Sequence, residues 1–362
     1  MNILVIARRM NEIGGGAERS MNNLINLMKN NHNIFLFNYS NIEKGMVGNV
    51  YNWKMPELFK KVYIPKQLKF HLNQIYSKGT IKKYIKRINP ELIIYQKPPI
   101  PQRVANIPTI AFVRDLEYIE YFASQKRKTP KGKLSLMIEK AIGRKIIKEL
   151  KKMDMVIVNS EYIKSKLGDL GIDSCVIYPF IETEKYTDLK WEPKYIAYIS
   201  GSLAIHKGYM IFENIARNMP NVNFILAGRD PDNLTKNIPS NVNYVGWVDN
   251  IENILKMTRI LLVPSLWKEP FGRIVIEAQS VGIPVVASNV GGLPEAVGNG
   301  GITIDDYCNV QVWCESINRI INDKMLQTTL IENAKQNAKK FDMNILYNRF
   351  KQIVNDKLGI EL

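Results

Sequence analysis

Short apolar runs alternate along this chain with longer stretches whose apolar residues recur every three or four positions. Asn2–Ala7 (NILVIA), Asn33–Asn38 (NIFLFN), Glu91–Tyr95 (ELIIY), Thr109–Val113 (TIAFV) and Met155–Asn159 (MVIVN) are runs with little polar alternation. Such runs predict strands buried on both faces, as in a parallel sheet covered by helices. A loop holding Gly14, Gly15 and Gly16 follows the first run, and a helix is predicted from Glu18 to Asn30.

The pattern then restarts. Tyr195–Ser200, Asn223–Ala227, Asn241–Val245, Ile260–Pro264, Pro284–Ala287 and Gly301–Ile304 form a second predicted set of strands, with helices over Tyr209–Asn218 and Arg273–Val281. Residues 341–362 read as a closing amphipathic helix with Leu346, Phe350 and Val354 on one face. The expected fold class is α/β, with two Rossmann-like doubly wound domains facing a central cleft. The first domain spans 1–180 and is completed by 342–362; the second spans 190–341. The boundary is placed in the polar stretch Pro179–Pro193. Ligands are expected beyond the carboxyl ends of the strands.

Composition narrows the class. The chain has 362 residues, 46% of them hydrophobic, which suits two globular domains. Its three cysteines, Cys175, Cys308 and Cys314, form no CxxC pair, and its three histidines are scattered, so no disulfide framework or metal cluster is expected. The apolar run Ile3–Ala7 is shorter than a signal-peptide core and its arginines follow it; no run approaches the ~20 apolar residues of a membrane span. A cytoplasmic protein is expected, peripheral on the cytoplasmic face of the membrane.

Net charge is +16, unevenly spread. Residues 1–180 hold 31 Lys and Arg against 14 Asp and Glu, leaving 19 against 20 for the rest. The excess points to an anionic partner for the first half.

Residues 263–297 (VPSLWKEPFGRIVIEAQSVGIPVVASNVGGLPEAV) carry most of the chemical information. A strand ends at Pro264, a loop holds Glu269, Pro270, Phe271 and Gly272, and a helix containing Glu277 begins near Arg273. The strand Pro284–Ala287 then leads to a second glycine loop, Gly291–Gly292. Glycine lets backbone approach a ligand closely. A helix starting beyond it presents free N–H groups and a partial positive charge, which suits phosphate or pyrophosphate. Carboxylates touching that anion would repel it, so Glu269 and Glu277 must face neutral donors such as sugar hydroxyls.

The E-x7-E pair Glu269/Glu277 in EPFGRIVIEA, with these elements in order, resembles the retaining GT-B glycosyltransferases of family four, the group one transferases. The resemblance covers nearly the whole chain. It implies that Glu269 contacts the donor sugar at the reaction centre, that Glu277 binds the ribose hydroxyls, and that the backbone of Phe271, Gly272 and Arg273 holds donor sugar and phosphate. In NILVIARRMNEIGGGAE it implies a loop reaching the donor phosphates through Gly15 and Gly16. In ISGSLAIHKGY it implies that Lys207 grips the pyrophosphate. AGRD and YVGWVDN resemble loops near the nucleobase, with Val245 to Val248 close to its ring. Two positions depart from the family. Ser202 stands where an arginine is frequent, with Arg229 or Arg273 as the substitute phosphate contact. Arg114, in Val113-Arg114-Asp115, stands where many members carry a histidine pointing at the donor sugar; either it takes that catalytic role or the acceptor pocket differs.

The basic half offers a second feature. In SLMIEKAIGRKIIKELKKMD, Ile138, Ile142, Ile146 and Leu150 recur every four residues, and Lys140, Arg144, Lys148 and Lys152 do so two positions later. That places them about 200° around a helix, giving one apolar and one cationic face. With the cations of 59–87 and 124–133, this face is expected to meet an anionic membrane surface. A core-packed helix with a solvated side has the same pattern.

The function expected is transfer of a sugar from a nucleotide-diphosphate donor to a glycan or lipid-linked acceptor, in surface polysaccharide or glycolipid synthesis. No metal and no cofactor are expected, because Lys207 and the helix N-terminus at Gly272–Arg273 supply positive charge to the leaving diphosphate. Asp230-Pro231-Asp232 is a lone, loop-placed match to a DxD motif. The rival readings are a nucleotide-sugar epimerase of similar fold, a nicotinamide dehydrogenase and a basic nucleic-acid-binding protein. GGGAE lacks G-x-G-x-x-G spacing, and the cations lack a motif with stacking aromatics, so nucleic acid is not an expected partner.

Overall fold

The computed structural model describes residues 1–7, 15–38, 49–52, 66–96, 103, 106–116 and 130–362. The chain divides into two compact units, Met1–Tyr178 with Tyr347–Leu362, and Pro179–Leu346.

The first unit is built on a seven-stranded sheet: β1 (Asn2–Ala7), β2 (Asn33–Asn38), β3 (Asn49–Asn52), β4 (Leu92–Tyr95), β5 (Thr109–Val113), β6 (Met155–Val158) and β7 (Cys175–Val176). The order is β3-β2-β1-β4-β5-β6-β7, and each pairing is parallel. Its first six strands follow the doubly wound order, reversing direction between β1 and β4. Helices Gly16–Met28, Lys66–Ile88, Pro130–Leu150 and Glu161–Gly168 complete the α/β layers. All residues of β4, β5 and β6 are buried, which is why the strands read as unbroken apolar runs.

The helix Pro130–Leu150 buries Ile142, Ile146 and Leu150 in the core. Arg144 and Lys148 are exposed, as is Lys152 just beyond the helix, while Lys140 is half-buried. The Ile138 side chain, Gly14 and the cations of 59–65 and 124–129 lie outside the described residues. The closing helix is Met343–Leu358, and it buries Leu346, Phe350 and Val354 as expected, with Tyr347 beside them. The Phe350 ring packs against Phe112 of β5 at 6.1 Å between centroids.

The second unit has a six-stranded parallel sheet: β8 (Tyr195–Ser202), β9 (Phe224–Arg229), β10 (Val242–Tyr244), β11 (Thr258–Val263), β12 (Val285–Ser288) and β13 (Gly301–Ile304). Its order, β10-β9-β8-β11-β12-β13, repeats the doubly wound pattern. Helices Tyr209–Asn218 and Val310–Asn322 bury Phe212, Ile215, Trp313 and Ile317 with this sheet. The segment from Pro179, read above as a boundary, begins the second unit and is firmly tied. Phe180 and Ile181 are fully buried, Ile181 bridges to Asp342, and Thr183 Oγ1 donates to Asp342 Oδ2 at 2.8 Å. The other Asp342 oxygen accepts from Asn344 N and so caps the closing helix.

Phe350→Ala removes a fully buried ring from the first unit. It is expected to cost roughly 3–5 kcal/mol, read as a lower urea midpoint for that unit's unfolding transition.

Candidate active site

In the second unit the strand order reverses between β8 and β11, so the loops leaving their carboxyl ends emerge side by side. After β8 the chain makes a 3-10 turn at Ile205–Lys207, and Gly208 continues at φ 85°. A Cβ at Gly208 would lie 1.7 Å from the Pro264 carbonyl oxygen, so the two loops can touch only at a glycine. The amides of Leu266 and Trp267 donate to the His206 carbonyl at 3.0 and 2.9 Å. Across this junction Lys207 Nζ donates to Glu269 Oε1 at 2.6 Å, and Ser265 Oγ donates to the same oxygen at 3.3 Å. The Lys207 side chain is 30% exposed and that of Glu269 17%, so both charges keep access to a ligand.

A third loop, after β12, clamps Glu269 from the other side. Gly291 has φ 61°, and a Cβ there would lie 2.3 Å from the Glu269 carbonyl oxygen. Gly292 N donates to that same carbonyl at 2.7 Å. Three residues after Glu269 the helix Arg273–Val281 starts from Gly272 at φ 112°, and no side chain among the described residues caps it. The Phe271 side chain is buried against Phe341, at 5.2 Å between ring centroids. Any ligand contact by Phe271 therefore falls to its backbone.

Glu277 lies on that helix, 5% exposed. Arg273 Nη2 pairs with its Oε1 at 3.2 Å, and Arg273 Nη1 donates to the Phe180 carbonyl at 3.1 Å. The guanidinium considered as a substitute phosphate contact is thus engaged with Glu277 and main chain. The other substitute, Arg229, stands opposite Ser202 in the β8–β9 pairing. Its guanidinium lies over the Trp247 ring at 3.9 Å, a cation–π stack. Val245, just beyond β10, is 38% exposed, and its amide donates to Leu226 O. These residues line up along the carboxyl ends of β10, β9, β8, β11 and β12.

Asp230, the first carboxylate of the DxD match, accepts from Leu234 N, Thr235 N and Thr235 Oγ1. Burial pushes its carboxyl up, and the three hydrogen bonds outweigh this to hold it below the usual range. It therefore serves as a turn cap. Among the described residues no three His, Cys, Asp or Glu side chains gather as a metal site.

Gly15, Gly16 and Arg114 belong to the first unit. Gly15 is the N-cap of the helix Gly16–Met28, with Arg19 N donating to its carbonyl at 3.0 Å. One turn on, Ser20 Oγ accepts from Arg114 Nη1 at 2.9 Å, so the fold does bring Arg114 to the glycine-started helix. Arg114 is 4% exposed, lies over the Phe112 ring at 4.8 Å, and accepts at its carbonyl from Asn159 Nδ2. Sequence reasoning passed over Ser265 and Tyr198. Ser265 stands in a loop already singled out, and Tyr198 reads as a core position of its strand.

Two family models match the chain, Glycosyltransferase Family 4 over residues 14–185 and Glycosyl transferases group 1 over residues 181–337. A protein of the Klebsiella pneumoniae cps region is 28% identical over 247 residues, covering 62% of this chain and 65% of that protein. A D-inositol 3-phosphate glycosyltransferase of Corynebacterium aurimucosum is 32% identical over 111 residues, 30% of this chain and 26% of the relative. An N,N'-diacetylbacillosaminyl-diphospho-undecaprenol alpha-1,3-N-acetylgalactosaminyltransferase of Campylobacter jejuni is 28% identical over 197 residues, 51% and 52% of the two chains. The chain thus spans less than two-thirds of each of these relatives. Among solved structures, sucrose-phosphate synthase from Thermosynechococcus elongatus superposes with a TM-score of 0.76 at 20% identity, covering 99% of both chains. Anabaena HepE in complex with UDP gives 0.73 at 17%, covering 98% of this chain and 100% of the other. The overlaps confirm a GT-B architecture, and the two family models together run from Gly14 to Asn337: the chain belongs to the group 1, family four glycosyltransferases.

Proposed function

We propose that this protein transfers a sugar from a nucleoside-diphosphate donor to an acceptor hydroxyl, with retention of anomeric configuration and without a metal ion. The observation that carries the reading is the Lys207–Glu269 pair at the carboxyl ends of β8 and β11, beside the N-terminus of the helix Arg273–Val281. A diphosphate entering there offers Lys207 a stronger partner than one carboxylate, and the helix dipole adds attraction. Glu269, released from the lysine, becomes free to accept a hydrogen bond from a sugar hydroxyl.

Positive charge at the leaving group favours breakage of the bond between the anomeric carbon and the β-phosphate oxygen. The acceptor oxygen then bonds to that carbon on the face the diphosphate leaves, and its proton passes to the departing diphosphate oxygen. Glu277, held by Arg273, is assigned to the ribose hydroxyls. The roles of Gly15, Gly16 and Arg114 toward the donor rest on the family resemblance alone. The structural likeness to HepE, which was solved in complex with UDP, supports a nucleotide donor.

The relatives from a cps region and from undecaprenol-linked synthesis support an acceptor in surface polysaccharide or glycolipid assembly. Among the described residues no helix is long and apolar enough to cross a membrane. The exposed Arg144, Lys148, Lys151 and Lys152 support docking of the first unit on anionic lipid. Flotation at low salt is expected to carry the protein with phosphatidylglycerol vesicles; failure to float would remove the docking.

Calorimetric titration with UDP, GDP, ADP and dTDP in EDTA tests the donor site. One diphosphate is expected to bind selectively. Lys207→Ala should weaken it about 10- to 100-fold, the loss of one charge-assisted contact to phosphate. Glu277→Ala should weaken it about 5- to 10-fold, the loss of a ribose hydrogen bond. A folded protein that binds none of the four would contradict the reading.

A further inference from the structure

The lysine's aim depends on a backbone segment with little helical support of its own. Ile205–Lys207 is a single 3-10 turn, and the last carbonyls of such a turn have no partner within it. Tyr198 meets that need. It lies in β8, 3% exposed, and its hydroxyl donates to the Lys207 carbonyl at 3.0 Å. Its ring packs on Phe212 at 5.1 Å between centroids, which fixes where the hydroxyl can point. Lys207 is then held on both sides, by Tyr198 at its carbonyl and by the contact of Gly208 with Pro264.

We propose that Tyr198 is a positioning residue for the donor site, fixing the backbone of Lys207 so that its ammonium reaches the diphosphate. Burial raises the Tyr198 phenol far above its ordinary range; a hydrogen bond with Ser200 opposes this, and the Glu269 and Tyr209 charges add to it. The hydroxyl therefore stays protonated and stays a donor. The hydroxyl touches neither donor nor acceptor; it acts through the lysine. The inference rests on the reading of Lys207 as the diphosphate contact.

The test is a double-mutant cycle between Tyr198→Phe and Lys207→Ala, read by calorimetry with the nucleoside diphosphate that the wild type selects. Tyr198→Phe keeps the ring and its packing and removes only the hydroxyl. It is expected to weaken that diphosphate about three- to tenfold. In the Lys207→Ala background it is expected to have no further effect, and in the wild-type background it should leave binding of the parent nucleoside unchanged. A purely structural role would weaken nucleoside and diphosphate alike and would persist without the lysine; either result overturns the inference. Wild-type binding that is lost in Lys207→Ala but unchanged in Tyr198→Phe overturns the tyrosine's role while sparing the donor site. Absence of diphosphate binding by the wild type overturns both.

Discussion

The second unit's chemistry depends on a contact between two backbones. Gly208 meets the Pro264 carbonyl so closely that no side chain fits between them. This approach brings the loop after β8 against the loop after β11, and only then can Lys207 reach Glu269 from 62 positions away in sequence. The glycine loop after β12 repeats the device, with Gly291 and Gly292 closing on Glu269 and Pro270. A lysine and a glutamate are thereby presented together where a doubly wound sheet binds its ligands. Each loop fixes its neighbours, so the side chains are placed before any ligand arrives.

The ion pair is suited to exchange partners. Both side chains keep contact with water, which weakens the attraction between them. The diphosphate proposed above would compete for a lysine that is not locked in the interior. Arg273 and Glu277 form a more buried pair, one turn apart on one helix and anchored to Phe180 O. The two glutamates of the E-x7-E motif thus each hold a basic partner: the exposed pair can open, and the buried one keeps its geometry.

Much of this was legible in the sequence. The strands declared themselves as unbroken apolar runs because helices cover both faces of each sheet. β3 and β7 did not, since NVYN is half polar and Cys175–Val176 is only two residues long. β11 starts two residues earlier than its apolar run, at Thr258, which follows the helix Glu252–Met257 without a break. Lys207, Glu269 and Glu277 stood out through motif and setting, but their pairing did not, because it depends on how strands order in space. The Arg229–Trp247 stack was hidden for the same reason. Arg114 could be placed at the end of its strand, but its burial against Phe112 and Ser20 depends on a helix nearly a hundred residues earlier.

The central claim is that Lys207 leaves Glu269 for the leaving phosphate of a donor. Phosphorus NMR of the selected nucleoside diphosphate, in EDTA, observes that phosphate directly. The account predicts that binding shifts the β-phosphorus resonance in the wild type and that Lys207→Ala abolishes most of the shift at matched saturation. A β-phosphorus shift that is the same in both proteins would contradict it, and would place the diphosphate's partner elsewhere.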